Sequence, residues 1–246
     1  MSAWIWGRHP VAEALRAGTV RRILIATGRE PSAVIRDIRA LASEKAVPVK
    51  DVPTAEIARV APGQNTQGVV AEIEGPRLTA VRDLLSDLGP SPLLLALDQV
   101  QDPHNLGALL RTADAAGVAG VILPERRSAP LSGVVAKTSA GTMSRLAIAE
   151  APNLARALDE VRKRGIWTVG LDGTAQQALY DVDLTVPLLL VIGGEGEGLR
   201  RLTRERCDFL VHLPMFGHVE SLNASVAGSI AMYEVVRQRV AAGLRP

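Results

Sequence analysis

Hydrophobic and polar positions alternate between helical and strand-like spacing along the whole chain, which predicts an α/β fold. Early on, Pro10–Ala17 reads as a helix with proline in its first turn and Gly18 just past its end. Ile23–Ala26 predicts a short strand. Apolar Val34, Ile35, Ile38 and Leu41 give Pro31–Ser43 a single apolar helical face. Val47–Val52 predicts a second strand, Thr54–Val60 a short helix opened by a capping threonine, and Val69–Ile73 a closing strand. These elements predict a small α/β domain over residues 1–75.

The texture then changes. Residues 76–91 hold Pro76, Gly89 and Pro90 around one short helical stretch, Val81–Leu88, and read as a linker. Leu93–Leu97 is a continuous apolar run, the pattern of a parallel strand buried on both faces. Further strands are predicted at Gly120–Leu123, Leu146–Ile148, Trp167–Leu171, Leu188–Ile192 and Phe209–Leu213, with helices between them. A long last helix is predicted from about Leu222 to Ala241. Residues 92–246 therefore read as a parallel-sheet domain.

Composition narrows the class. Hydrophobic residues make up 47% of the 246 and aromatics only 3%, so the cores must be built from Leu, Val, Ile and Ala. No apolar run is long enough to span a bilayer, and the first residues lack the order of a signal peptide. The single cysteine, Cys207, excludes an internal disulfide and fits a reducing cytoplasm, where the protein is expected to reside. Net charge is only +2, short of a strongly basic nucleic-acid binder. Lys45, Lys50, Lys137 and Lys163 are the only lysines, and every other cation is arginine. That bias suits phosphate recognition; genomic base composition would produce it equally well.

Three segments depart from packing logic, and each follows a predicted strand, where open parallel sheets gather their ligands. The first runs from Asp98 through His104, Asn105 and Gly107 to Arg111, Thr112 and Ala113. Asn105 is a reasonable helix N-cap there, and Arg111 could simply pair with Asp114 three residues on. The second is Gly193-Gly-Glu-Gly-Glu-Gly198, whose glycines allow close backbone approach to a ligand. Glu195 and Glu197 would repel a pyrophosphate, so a neutral or cationic ligand fits better. The third, Leu213-Pro-Met through Ser221-Leu-Asn-Ala-Ser225, crowds Ser221, Asn223 and Ser225 at the start of the last helix. Ser221 or Asn223 would serve as an ordinary cap, yet packing asks for no such cluster.

In this order the segments resemble the three motifs of the SpoU (TrmH) family of RNA ribose methyltransferases, within the SPOUT superfamily. The matching residues are Asn105, Gly107 and Arg111-Thr-Ala; Gly193-Gly-Glu-Gly196; and Pro214-Met with Ser221-Leu-Asn-x-Ser225. Trp6-Gly-Arg-His-Pro-Val-Ala-Glu-Ala-Leu15 and Gln67-Gly-Val-Val-Ala71 resemble the opening and last strand of the family's N-terminal substrate-binding domain. The resemblance thus covers nearly the whole chain. It is nearest to the branch that methylates a guanosine ribose in the peptidyl-transferase region of large-subunit ribosomal RNA, with His218 a departure from the small polar residue often found there.

The resemblance implies a parallel-sheet SPOUT domain with a trefoil knot, preceded by a domain folded like ribosomal protein L30e. It also implies S-adenosylmethionine as co-substrate, RNA as partner, a homodimer, and no metal. Gly193, Gly194, Gly196, Leu213, Pro214 and Leu222 would form the cofactor pocket. Asn105, Arg111, Glu195, Ser221, Asn223 and Ser225 would form the reacting centre. Transfer RNA as substrate, or a non-catalytic ribosome-assembly role on the same fold, stays open at this point.

Overall fold

Strand-forming runs at the two ends of the first seventy-five residues meet across one sheet. The computed structural model describes residues 2–28, 32–139, 141–196 and 198–244, and the chain divides into two units. In the first, the elements are β1 (Ser2–Trp6), α1 (Arg8–Arg16), β2 (Val20–Ala26), α2 (Ala33–Glu44), β3 (Val49–Val52), α3 (Thr54–Val60) and β4 (Val69–Glu74). Their sheet has the order β1-β4-β2-β3, antiparallel except for β2 and β3. Alternate residues of β2 and β4 bury Ile23, Ile25, Val69, Ala71 and Ile73 with the inner faces of α1 and α2.

Strand β1 leaves no period in the sequence, since its apolar run, Ala3–Trp6, is too short to show one. The predicted helix from Pro31 begins at Ala33, behind a Ser32 cap that accepts from the Ile35 amide; Pro31 itself lies outside the described residues. Thr54 is the first residue of α3 rather than its cap, because Pro53 takes the cap position.

A distant segment returns to this unit. Leu131–Arg145 groups with Met1–Pro76, and its helix α6 (Gly133–Thr138) packs on β1. Gly133 is required there, since a Cβ would stand 2.2 Å from the Trp4 carbonyl oxygen. One turn on, the Lys137 ammonium lies 5.3 Å from the centre of the Trp6 ring, a cation–π contact.

The second unit contains β5 (Arg77–Thr79), α4 (Val81–Leu84), β6 (Leu93–Asp98), α5 (Pro103–Ala115), β7 (Gly120–Pro124), β8 (Ala147–Ala151), α7 (Leu154–Arg162), β9 (Trp167–Leu171), β10 (Gln177–Ala178), β11 (Leu188–Gly193), α8 (Arg201–Arg206), β12 (Phe209–His212) and α9 (Ala224–Ala241). All eight strands are parallel, in the order β10-β12-β9-β11-β6-β7-β8-β5. Every residue of β6 and β11 is buried, as the apolar runs Leu93–Leu97 and Leu188–Ile192 require, and Asp98 is buried with them at the end of β6. Each buried leucine there contributes on the order of 1.5–3 kcal/mol. Residues 76–91 carry edge strand β5, and the predicted helix over 81–88 shortens to the single turn α4.

Two helix starts differ from expectation, and both bear on function. Helix α5 begins at Pro103, whose fixed φ and missing N–H suit a first helical position, and Asp102 caps it by accepting from the His104 amide at 3.0 Å. Asn105 is therefore inside the first turn and its side chain is released from capping. Helix α9 begins at Ala224 rather than Leu222, with Asn223 as cap. Helices α5 and α9 pack closely through Gly228, where a Cβ would meet Leu109 at 2.5 Å, and through a 2.9 Å hydroxyl contact between Thr112 and Ser229. Arg239, fully buried near the end of α9, gives its guanidinium to the carbonyls of Ser91, Pro92, Leu184 and Val186. Among the described residues, no helix is long and apolar enough to cross a membrane.

Candidate active site

The order of the sheet places the site. From β6 the chain moves outward to β7 on one side, while β11 lies on the other, with Gly193 beside Asp98 in register. A reversal of this kind leaves a crevice beyond the carboxyl ends of the strands. On the β11 side of it, beyond the carboxyl ends of β11, β9 and β12, an open cleft of about 750 Å³ is walled by the glycine-rich loop after β11, by Leu171 at the end of β9 with residues 172–174, and by the segment after β12.

Glycine is obligatory at the cleft floor. A Cβ on Gly193 would stand 2.2 Å from the carbonyl carbon of Gly198, and one on Gly194 would stand 2.2 Å from the Gln99 carbonyl oxygen. Gly196 and Gly198 adopt φ of +83° and +65°, and the loop closes with a hydrogen bond from the Gly198 amide to the Gly194 carbonyl at 3.3 Å. Bare backbone amides and carbonyls are thus what this wall offers a ligand. Glu195 stands exposed on the same loop, at the edge of the cleft. Glu197 lies outside the described residues.

One hydrogen-bonded chain joins all three sequence segments. Asn105 donates through Nδ2 to a Glu195 carboxylate oxygen in a short contact, and its Oδ1 accepts from Asn223 Nδ2 at 3.0 Å. Asn223 Oδ1 in turn accepts from the Ser225 hydroxyl at 2.6 Å and from the amides of Ser225 and Val226. Each asparagine uses both ends of its amide, so neither can flip without breaking the chain. Asn223 is at once the helix cap and a member of this network.

The remaining expected residues fall into place unevenly. Gly193, Gly194, Gly196, Leu213, Ser221 and Leu222 line the cleft together with Glu195 and Asn223. Asn105 and Ser225 join through their hydrogen bonds. Pro214 is half-buried between two wall residues, Leu213 and Met215, and is not itself part of the wall. Arg111 is exposed on α5, six residues beyond Asn105, which is about 120° around the helix and ~9 Å along it. The lining of the cleft does not include it among the described residues. His218 is exposed in the loop before α9.

Two further clusters, which the three sequence motifs do not single out, flank the cleft. Asp98, fully buried at the end of β6, accepts from the Arg200 amide at 3.0 Å and from its Nε at 2.7 Å, pinning the exit of the glycine loop. On the opposite wall, Asp172 accepts from the Thr174 amide and hydroxyl and pairs with Arg204 at 3.1 Å. Asp172-Gly-Thr174 directly follows a buried strand, so the rule that exposed the other three segments would have found it.

The fold and cleft define a methyltransferase of the SPOUT class, and comparison with known proteins agrees. Residues 92–233 match the model of the SpoU rRNA methylase family, and residues 4–79 match that of the RNA 2'-O ribose methyltransferase substrate-binding domain. The chain belongs to the SpoU rRNA methylase family. It is 45% identical over 241 residues to the 23S rRNA (guanosine-2'-O-)-methyltransferase RlmB of Pseudomonas putida, covering 96% of each chain. Among solved structures, it resembles the SpoU methyltransferase AviRb of Streptomyces viridochromogenes in complex with S-adenosylmethionine (TM-score 0.76, 28% identity, 98% and 91% of the two chains). It also resembles the S-adenosylmethionine-bound rRNA methyltransferase of Sinorhizobium meliloti (TM-score 0.72, 26% identity, 96% and 87%).

Proposed function

We propose that this protein methylates the ribose 2′-hydroxyl of a guanosine in 23S ribosomal RNA, using S-adenosylmethionine, in the cytoplasm. The observation that carries the reading is the chain Glu195–Asn105–Asn223–Ser225 at the edge of a glycine-floored cleft. The 45% identity to a 23S rRNA guanosine methyltransferase over nearly the full length supports the substrate.

The cleft fits the cofactor on three counts. Its volume of about 750 Å³ falls in the range of about 300–1,000 Å³ usual for such sites. Its wall includes Gly193, Gly194, Gly196 and Gly198, which carry no side chain, so backbone would contact the ligand directly. Its edge carries a carboxylate and suits a positively charged ligand better than a phosphate. When bound, S-adenosylmethionine supplies an activated methyl group on a sulfonium. Backbone around Gly193, Gly196, Leu213 and Leu222 would hold it.

The protein's own residues must then orient the ribose and favour the charge that develops on its oxygen. Ser221 and Asn223 place hydroxyl and amide groups on one side of the cleft, Ser225 holds Asn223 through its hydroxyl, and Asn105 fixes Asn223 and Glu195 relative to each other. A guanidinium presents five donors and no acceptor, so Arg111 serves as a phosphate clamp and charge stabiliser rather than as the base. Its position outside the cleft of its own chain supports a homodimer in which Arg111 reaches the partner's site. The N-terminal unit binds RNA, and the segment from β12 through α9 is threaded as the family's trefoil knot.

The test is methyl transfer from labelled cofactor to 23S rRNA and bulk transfer RNA from cells lacking this protein, with the product mapped by mass spectrometry. A single 2′-O-methylguanosine in 23S rRNA is expected. A mark on transfer RNA alone would overturn the substrate, and no cofactor binding would overturn the enzyme.

A further inference from the structure

The two signatures of the N-terminal unit, Gly7-Arg8-His9-Pro10 and Gln67-Gly68, lie about sixty residues apart in sequence and come together at one small cavity. The Arg8 amide donates to the Gln67 side-chain oxygen at 3.1 Å, and Arg8 Nε donates to the Gln67 carbonyl at 3.3 Å. Gln67 holds a left-handed φ of +53° to make both contacts. Beside this clasp is a hollow of about 200 Å³, floored by buried Ile25 and Ile35 and rimmed by Thr27, Arg39 and Asp51.

The chemistry of the hollow is specific. Arg39 and Asp51 form an ion pair and neutralise each other. Arg8 has no carboxylate partner among the described residues, and its two terminal nitrogens have no protein acceptor there. The site therefore offers one uncompensated, immobilised guanidinium over an apolar floor. Its volume is below the roughly 300 Å³ at which pockets for drug-sized ligands begin. One unpaired RNA base fits this description: guanidinium planes stack on splayed bases, and their N–H groups bind the adjoining phosphate.

We propose that this hollow is a subsite for a single unstacked nucleotide of the RNA substrate, with the base on the Ile25–Ile35 floor and its phosphate on Arg8. The proposal rests on the reading that the protein acts on RNA. It adds where the N-terminal unit grips that RNA, and that it grips a splayed nucleotide rather than a duplex.

Two variants test it from different sides. Arg8→Ala removes the cation, and Thr27→Trp fills the hollow from an exposed position while leaving Arg8 and Gln67 in place. Affinity for a fluorescent single-stranded fragment of 23S rRNA is read by anisotropy, cofactor affinity by calorimetry, and methyl transfer as KM and kcat for RNA. In both variants RNA affinity should fall about tenfold, the size of one lost base-stacking or phosphate contact, with KM rising in step. Cofactor affinity should match wild type. Wild-type RNA affinity and KM in both variants, in an enzyme that methylates RNA, would overturn the subsite alone. Equal competition by a duplex would overturn the splayed nucleotide. A wild-type protein that neither binds nor methylates RNA would remove the functional reading first, and the subsite with it.

Discussion

Asn223 donates through its side-chain amide to Asn105 Oδ1 at 3.0 Å, joining residues 118 apart in the chain. The same side chain caps α9 through its oxygen. One residue therefore sets both where the last helix begins and how the polar centre is held, and the two duties can be separated.

Asn223→Asp keeps an excellent helix cap but replaces the donor facing Asn105 with a carboxylate oxygen. The melting temperature should stay within a few degrees of wild type, since the cap is retained. Methyl transfer should fall at least about tenfold, because a fixed polar contact at the proposed reacting centre is lost. Thermal denaturation by circular dichroism and a methylation assay check the pair. Equal loss of stability and activity would mean that the residue only caps.

Gly194→Ala puts a Cβ 2.2 Å from the Gln99 carbonyl oxygen, a backbone atom that cannot simply rotate aside. The glycine loop must shift, and cofactor affinity measured by calorimetry should fall about tenfold or more. Overall unfolding should change little, since the loop lies outside the sheet core.

Arg111→Lys keeps a charge but loses the planar fork. RNA affinity should be retained while turnover drops on the order of a hundredfold. If the proposed homodimer places Arg111 in the partner's site, co-expressing Arg111→Lys with Asn223→Asp subunits should restore activity in mixed dimers, to about half of the wild-type level. Mixed dimers as inactive as either parent would put Arg111 in its own subunit's site.

Burial lifts the Cys207 thiol to about 12 from an ordinary 9.0, with the carboxylates of Asp208, Asp98 and Asp172 adding to the effect. The native protein should resist thiol reagents at pH 8 and react only on unfolding. The sign of the stability effect follows from the raised value. The neutral thiol's contribution is complete below about pH 9 and is lost as pH rises towards 12, because only the unfolded chain ionises in that window. Cys207→Ser should flatten that alkaline decline in a denaturation series.

Much of the fold was legible because burial leaves a one-dimensional trace. Strands buried on both faces leave unbroken apolar runs, such as Leu93–Leu97 of β6 and Leu188–Ile192 of β11. The glycine loop and the Ser-Leu-Asn-x-Ser segment stood out because polar and glycine residues follow those runs. Short edge strands such as β5 and β10 left no such trace, since two or three residues carry no period.

What only the tertiary structure decided concerns partners far apart in sequence. Asn105 looked like a cap until Asp102 took that role and freed it for Glu195 and Asn223. Asp98 gave no signal as the anchor of Arg200, because a buried charge is recognised only by its distant partner. Nor does any local pattern send 131–145 back onto β1, where Val135 and Ala136 are buried; deleting residues 1–74 would uncover them as well as remove a domain. Local sequence determined which segments form strands, helices and glycine loops, because backbone preference and periodicity act over a few residues. Which side chains meet was decided by the register and order of the sheet, which no window of the sequence contains.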